Sequence, residues 1–380
     1  MRKISNDLDS TVLHEYQQKP YFNSLGLVLS GGGVRAAYQA GFLKAVSENL
    51  EDNSIRVITS SSVGSLNAYV LALSLSAGLK FALDTLVNLW LERNFENTFS
   101  GVKLFSFIKS FIYAFKLRNI RDIPTPKASI LDPSPLKKLL NDMTKTSGHI
   151  RTSDEKLTAI GIMTTKVGRG IKKGVLFAQT TESVQKRFRE SKIFDTVFVN
   201  NITVEHCLAS AALPTIMPPI VLGEDNENVM YLDGGFVQNV PIDPAVRLGA
   251  NEVFVIDVSG RKFWKEALNL PQDSKPSWEI VDTNYSDCLS PQKMIREEVD
   301  FPLGKLLKDI ISKNKLRDLG PIFPLFKLLE NKLGNDLAFE AATYVTINSE
   351  FIKELIKLGY ERGKTHLKKF HKFRPCQATC

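Results

Sequence analysis

The sequence predicts an α/β fold with a mainly parallel central sheet, continued by a helical C-terminal region. Two strand-like runs, Leu25 to Leu29 and Arg56 to Thr59, are each followed by a tight turn of small residues and then an alanine-rich helical stretch. Successive strand-turn-helix units with short connections give parallel strands joined by right-handed crossovers, with the site at the strands' C-terminal ends. From Gly260 onward the texture changes to lysine-rich helical segments with few strand signals, such as Leu303 to Leu316 and Glu350 to Lys369.

In chain order, residues 1–22 read as a polar N-terminal tail; Met1 to Tyr21 has no apolar run of the kind a secretory signal needs. Leu25 to Leu29 reads as a buried strand and Val34 to Leu50 as its helix; Arg56 to Thr59 and Ser65 to Leu75 repeat the pattern. Val102 to Phe115 places Leu104, Phe105, Phe107, Ile108, Phe111, Ile112 and Phe115 on one half of a helical wheel. Lys103, Ser106, Lys109, Ser110 and Lys116 fall on the other half, as in either a core-covering helix or an interfacial lid over 102–116. Leu157 to Thr165 and Gly174 to Ala178 read as a hairpin across Gly168-Arg-Gly170. Val229 to Leu232 and Val253 to Ile256 are further strands, each followed by an aspartate, Asp233 and Asp257. The expected organisation is thus a tail, an α/β domain over 23–262, and a helical region over 263–380 with a basic end.

Composition is that of an ordinary globular protein of 380 residues, 43% hydrophobic and 24% charged. The formal net charge of +8 is unevenly placed: the last thirty residues carry eight Lys/Arg against Glu354 and Glu361. A solvated helix face accounts for this, as does attraction to an anionic membrane surface. No apolar stretch reaches the eighteen residues of a transmembrane span. Cys207, Cys288, Cys376 and Cys380 include no CxxC pair, which fits reduced thiols in the cytoplasm, with peripheral membrane contact the alternative address. No nucleic-acid partner is expected.

The two turns carry the chemistry. Gly31-Gly32-Gly33-Val34-Arg35-Ala36 follows the first strand, and Ser60-Ser61-Ser62-Val63-Gly64 closes the second. A serine on a strand-to-helix turn is pushed toward substrate, and a glycine turn beside it brings unhindered N–H groups near enough to stabilise an oxyanion, the layout of acyl transfer. Of five histidines, His14, His149, His366 and His371 lie in unattractive places, and His206 in Val204-Glu-His-Cys-Leu208 reads as a helix residue. A partly desolvated carboxylate can accept the serine proton instead. Asp233, followed by Gly234 and Gly235, is the best candidate, with Asp257 second.

In order and spacing, Gly31 to Ala36, Ser60 to Gly64 and Asp233-Gly234-Gly235 resemble the oxyanion-loop, nucleophile and acid motifs of the patatin-like phospholipase family, in its bacterial-type branch. Ser129-Ile-Leu-Asp-Pro-Ser-Pro-Leu136 and Ala209-Ser-Ala-Ala-Leu-Pro214 add to the likeness. The resemblance implies a patatin-like three-layer fold and a Ser-Asp dyad esterase that works without metal or other cofactor on a phospholipid or other acyl lipid. By position Ser62 is then the nucleophile and Asp233 the base, with Gly31, Gly32, Gly33, Val34 and Arg35 around the oxyanion hole. Ser60 and Gly64 flank the nucleophile, and Gly234 and Gly235 complete the acid motif. Ser60 and Ala36 stand where the family usually has glycine, and the Cβ of Ser60 is expected to crowd the elbow. Two other readings compete. A dinucleotide-binding turn wants an acidic residue after the second strand, where Ser60-Ser61-Ser62 stands. A non-catalytic membrane-surface module would make Ser62 dispensable.

Overall fold

The computed structural model describes residues 24–50, 52–102, 129, 131–168, 171–214, 216–224, 227–267, 288–314, 319 and 322–370. The elements in chain order are β1 (Leu25–Leu29), α1 (Ala36–Val46), β2 (Ile55–Ser61), α2 (Gly64–Ser74), α3 (Leu79–Leu91), β3 (Ser100–Val102), β4 (Leu131–Asp132) and α4 (Ser134–Ser147). Next come β5 (Ala159–Gly168), β6 (Ile171–Thr180), α5 (Glu182–Gln185), β7 (Phe194–Phe198), α6 (Val204–Ser210), β8 (Ile220–Glu224), β9 (Glu227–Asp233), α7 (Ile242–Arg247) and β10 (Glu252–Asp257). The remainder is α8 (Arg261–Ala267), β11 (Lys293–Glu298), α9 (Gly304–Asn314), α10 (Phe323–Leu333), α11 (Asn335–Ala342) and α12 (Ser349–Phe370).

A mixed, mostly parallel sheet organises these elements in the order β11-β10-β1-β2-β5-β6-β7. The strands from β11 to β5 run parallel; β6 returns antiparallel to β5, and β9 joins antiparallel to β5 with β8 beyond it. Alternation along the strands sends side chains to two cores. Leu27, Leu29 and Ile58 face a large core under α1, α2, α3 and α12, whereas Val28, Val57 and Val253 face a smaller one with Ala245 and Leu248 from the α7 side. The result is three layers, helices on either face of the sheet.

Every residue of α2 is buried, so this helix, apolar nearly all round, lies inside the molecule rather than on it. The helix after the glycine turn is shorter than the expected Val34 to Leu50, because its ends tighten into single 3-10 turns at Gly33–Arg35 and Ser47–Asn49. The C-terminal region is helical as expected, but it also supplies β11, which extends the sheet parallel to β10. Lys293-Met-Ile-Arg-Glu-Glu298 lacks an apolar run because it is an edge strand with a half-exposed face. Long α12 crosses α1 at near backbone contact: a Cβ added at Gly41 would lie 1.9 Å from the carbonyl oxygen of Ile356. The expected interfacial helix over 102–116 lies, beyond Val102, outside the described residues, as do residues 371–380 of the basic end. Among the described residues no helix is long and apolar enough to cross a membrane.

Candidate active site

Strand register brings the serine and the aspartate together. Strand β5 is long enough to serve two neighbours along one edge: its first half pairs with β2 and its second half with β9. Ser61 pairs with Met163 and Asp233 with Thr164, so consecutive β5 residues hold the ends of β2 and β9 head to head. The backbone of Asp233 is pinned further, its N–H donating to the Ala212 carbonyl at 3.1 Å and its carbonyl accepting from Thr165 Oγ1 at 2.8 Å.

Across that junction Ser62 Oγ donates to Asp233 Oδ2 at 2.6 Å. The other carboxylate oxygen, Oδ1, accepts the Gly235 N–H at 2.7 Å. Asp233 is buried, and loss of solvation pushes its carboxyl up from 3.8 to about 6, against the opposing pull of the two hydrogen bonds. Ser62 sits at φ 51°, the one non-glycine residue among those described with a left-handed backbone. For an L-residue that conformation costs roughly 1–2 kcal/mol. It is held by the turn after it, where Ser65 N–H and Oγ both donate to the Ser62 carbonyl at 2.9 and 2.6 Å. Gly64 leaves no room for a side chain, since a Cβ there would lie 2.5 Å from the Ser30 carbonyl oxygen.

The glycine turn lies against this elbow: a Cβ at Gly31 would fall 2.6 Å from the Cβ of Ser62. Of the five residues expected around an oxyanion hole, Gly31 to Arg35, three have their backbone N–H groups committed to other bonds. The N–H of Gly31 donates to Asn239, that of Val34 to Tyr344 and that of Arg35 to Gly32, at 3.2, 2.9 and 3.3 Å. The N–H groups of Gly32 and Gly33 make no such bond among the described residues, and both glycines line the cavity beside Ser62. Gly33 has φ 60°, and its missing Cβ is what lets the Tyr344 carbonyl approach.

Arg35 departs from its expected place beside the hole. Its side chain is fully buried outside the cavity lining, with Nη2 on Glu340 Oε1 at 2.5 Å, Nε on Thr343 Oγ1 at 2.7 Å and the guanidinium 3.8 Å above the Tyr344 ring. Asp257 is likewise engaged elsewhere, on Arg296 at 2.5 Å and the Ser259 N–H at 2.9 Å. His206 is the helix residue it was read to be. Its Nδ1 accepts the Thr203 N–H at 3.0 Å, its ring packs 4.6 Å from Phe177, and burial lowers its pKa to about 4. Ser60 is extended within β2, pairing with Leu29, and needs no glycine backbone. Its hydroxyl is buried with no hydrogen-bond partner among the described residues.

Gly234 and Gly235 form a 3-10 turn capped by Asp233 itself. At Gly234 a Cβ would meet the Met163 carbonyl oxygen at 2.1 Å. Ser62 and Asp233 open into a cavity of about 560 Å³, within the range of small-molecule sites, whose walls are chiefly apolar and include Leu66, Trp90, Leu140, Leu208 and Met217. Tyr344 and Trp90 were not foreseen as parts of this site, because Tyr344 sits in the C-terminal helical region and Trp90 on an ordinary amphipathic helix. Asn67 carried a legible signal, a polar residue inside an otherwise apolar helix; it accepts from Trp90 Nε1 and donates to the Ala36 carbonyl, each at 2.8 Å.

The family model described as patatin-like phospholipase matches residues 27–246. Mouse patatin-like phospholipase domain-containing protein 7 is 22% identical over 347 residues, covering 90% of this chain and 20% of that protein. A lysophospholipase of Aspergillus niger, nte1, is 24% identical over 94% of this chain and 19% of its own length. The chain thus spans about a fifth of the length of these curated relatives. Among solved structures, human GIVD cytosolic phospholipase A2 aligns over 93% of this chain and 60% of its own at 13% identity, with a TM-score of 0.41. VipD from Legionella pneumophila aligns over 94% and 89% at 13% identity, with a TM-score of 0.30.

Proposed function

The chain belongs to the patatin-like phospholipase family, and from that premise we propose that it hydrolyses acyl esters of membrane lipids by covalent catalysis at Ser62. The observation that carries the reading is the 2.6 Å hydrogen bond from the Ser62 hydroxyl to a buried carboxylate, beside two uncommitted backbone N–H groups. Ser62 Oγ attacks the ester carbonyl carbon while its proton passes to Asp233 Oδ2. The carbonyl oxygen becomes an oxyanion received by the N–H groups of Gly32 and Gly33. Collapse of the tetrahedral intermediate breaks the ester bond, and the leaving alkoxide takes the proton from Asp233. Water then gives a proton to Asp233 and attacks the acyl-serine; Ser62 recovers the proton as the fatty acid departs.

The apolar cavity suits the acyl chain. Phe99, just before β3, and Leu131, the first residue of β4, line the cavity. We assign contact with the lipid surface to the expected helix over 102–116 and to the basic end.

A serine-directed fluorophosphonate tests the nucleophile. Peptide mapping should place the label on Ser62, and Ser62→Ala should abolish both labelling and ester hydrolysis with little change in melting temperature. A label on Ser61 or Ser65 would remove the assignment.

A further inference from the structure

The cavity holds a cation that the proposed hydrolysis does not use. Arg93 follows α3, which forms an antiparallel hairpin with α2: Trp90 near the end of α3 donates to Asn67 near the start of α2. That pairing returns the chain to the level of the Ser62 elbow, and Arg93 lines the same cavity as Ser62 and Asp233. The residue is 3% exposed. Its Nε and Nη2 are buried without a hydrogen-bond partner among the described residues, and Nη1 reaches only Thr98 Oγ1, at 3.4 Å. Burial lowers its pKa to about 10, which leaves it charged at neutral pH.

Glu92 acts on this charge only through space, and a buried charge with no hydrogen-bonded counter-ion is costly to a fold, a cost that truncation to an apolar side chain usually relieves. Such a group is retained at no net loss where a ligand supplies the missing counter-charge. The unpartnered atoms define the ligand further. Nε and Nη2 form one edge of the guanidinium, the edge that meets two oxygens of a phosphate in parallel hydrogen bonds. In a phospholipid the phosphate lies one glycerol link from the scissile ester, whereas a neutral acylglycerol offers an uncharged hydroxyl or a further ester there.

We propose that Arg93 receives the phosphate of a phospholipid whose acyl ester lies at Ser62, and so selects phospholipids over neutral acylglycerols of the same acyl chain. The proposal rests on the ester-hydrolase reading for its catalytic consequence, but the binding it predicts is separable from turnover.

The test compares palmitoyl-lysophosphatidylcholine with monopalmitoylglycerol, using the full chain. In Arg93→Met the ratio of kcat/KM for the lysophospholipid to that for the glyceride should fall about tenfold to a hundredfold, the worth of a charge-assisted hydrogen bond or two. Arg93→Lys should recover part of the ratio, and the melting temperature of Arg93→Met should equal or exceed that of the parent. In a Ser62→Ala background, Arg93→Met should weaken equilibrium binding of lysophosphatidylcholine relative to monopalmitoylglycerol by a similar factor. This arm reports on Arg93 even if hydrolysis proves independent of Ser62. An unchanged ratio in both arms overturns the proposal, as does a lowered melting temperature with equal losses on the two lipids, which would make Arg93 a structural residue. Relief of palmitate inhibition in Arg93→Met without a change in the ratio would overturn it too, by assigning the guanidinium to the product carboxylate.

Discussion

Ser62 and Asp233 both sit in states that an unconstrained chain avoids, one in backbone conformation and the other in protonation. The raised carboxyl of Asp233 has consequences of opposite sign for activity and stability. With Asp233 as the proposed base, activity needs its carboxylate, so kcat/KM should rise about tenfold per pH unit up to about pH 6 and level off above it. Stability runs the other way. Because the folded carboxyl binds its proton more tightly than the unfolded one, its contribution is fully present below pH 3.8 and lost as pH rises through about 6. The loss is up to about 3 kcal/mol. Asp233→Asn should therefore lower turnover by about 10²- to 10⁴-fold yet melt higher than the parent at pH 8, with the gap closing toward pH 4. His206→Ala should keep its turnover; a loss as large as that of Asp233→Asn, in folded protein, would require a different base. The placement of Ser62 and Asp233 was legible in the sequence because each lies at the end of an apolar strand, at a small-residue turn. The division of labour within the glycine turn was not, because it depends on the carbonyl oxygens of Asn239 and Tyr344, which lie far along the chain.

At the scale of elements, the glycine turn is only as well placed as the helices behind it. Arg35 ties the turn to α11 through Glu340, whose second oxygen accepts the Gly304 N–H at 2.5 Å, so one buried carboxylate joins the turn and the ends of two C-terminal helices. Arg35→Met should leave that carboxylate buried and unpaired, costing about 3–5 kcal/mol, read as a fall in melting temperature with reduced activity. Adding Glu340→Gln should restore part of the melting temperature, because the amide removes the stranded charge. Strand and helix positions near the site were readable from apolar runs and their turns: β1 lies where it was expected, and β2 and β10 extend only a residue or two beyond their runs. Strand β11 was not readable, since its pairing with β10 is a property of the sheet edge and its own residues are mostly charged.

For the whole molecule, the sequence distinguished an α/β part from a helical part but not how deeply they interlock. The sheet takes its last strand from the C-terminal region, α12 lies on α1, and the oxyanion turn leans on Tyr344. Charge is the other property at this scale, with +6 of the formal +8 in the last thirty residues. If the basic end meets an anionic surface, neutralising Lys368, Lys369 and Lys372 should weaken binding to anionic but not neutral vesicles. Each basic residue contributes on the order of 1 kcal/mol, and added salt should erase the difference. Co-sedimentation at two salt concentrations reads the outcome.

The bond from the Val34 N–H to the Tyr344 carbonyl also sets an order of events during synthesis. Ser62, Asp233 and Tyr344, which buttresses the glycine turn, leave the ribosome in that sequence, at positions 62, 233 and 344. At about 5–20 residues per second, roughly 15–55 s separate the first from the last. Throughout that interval a growing chain carries Ser62 without the frame that surrounds it in the folded protein. A site assembled in this order is complete only when nearly all of the sheet and helices are in place, so the proposed activity would switch on late in synthesis by topology alone.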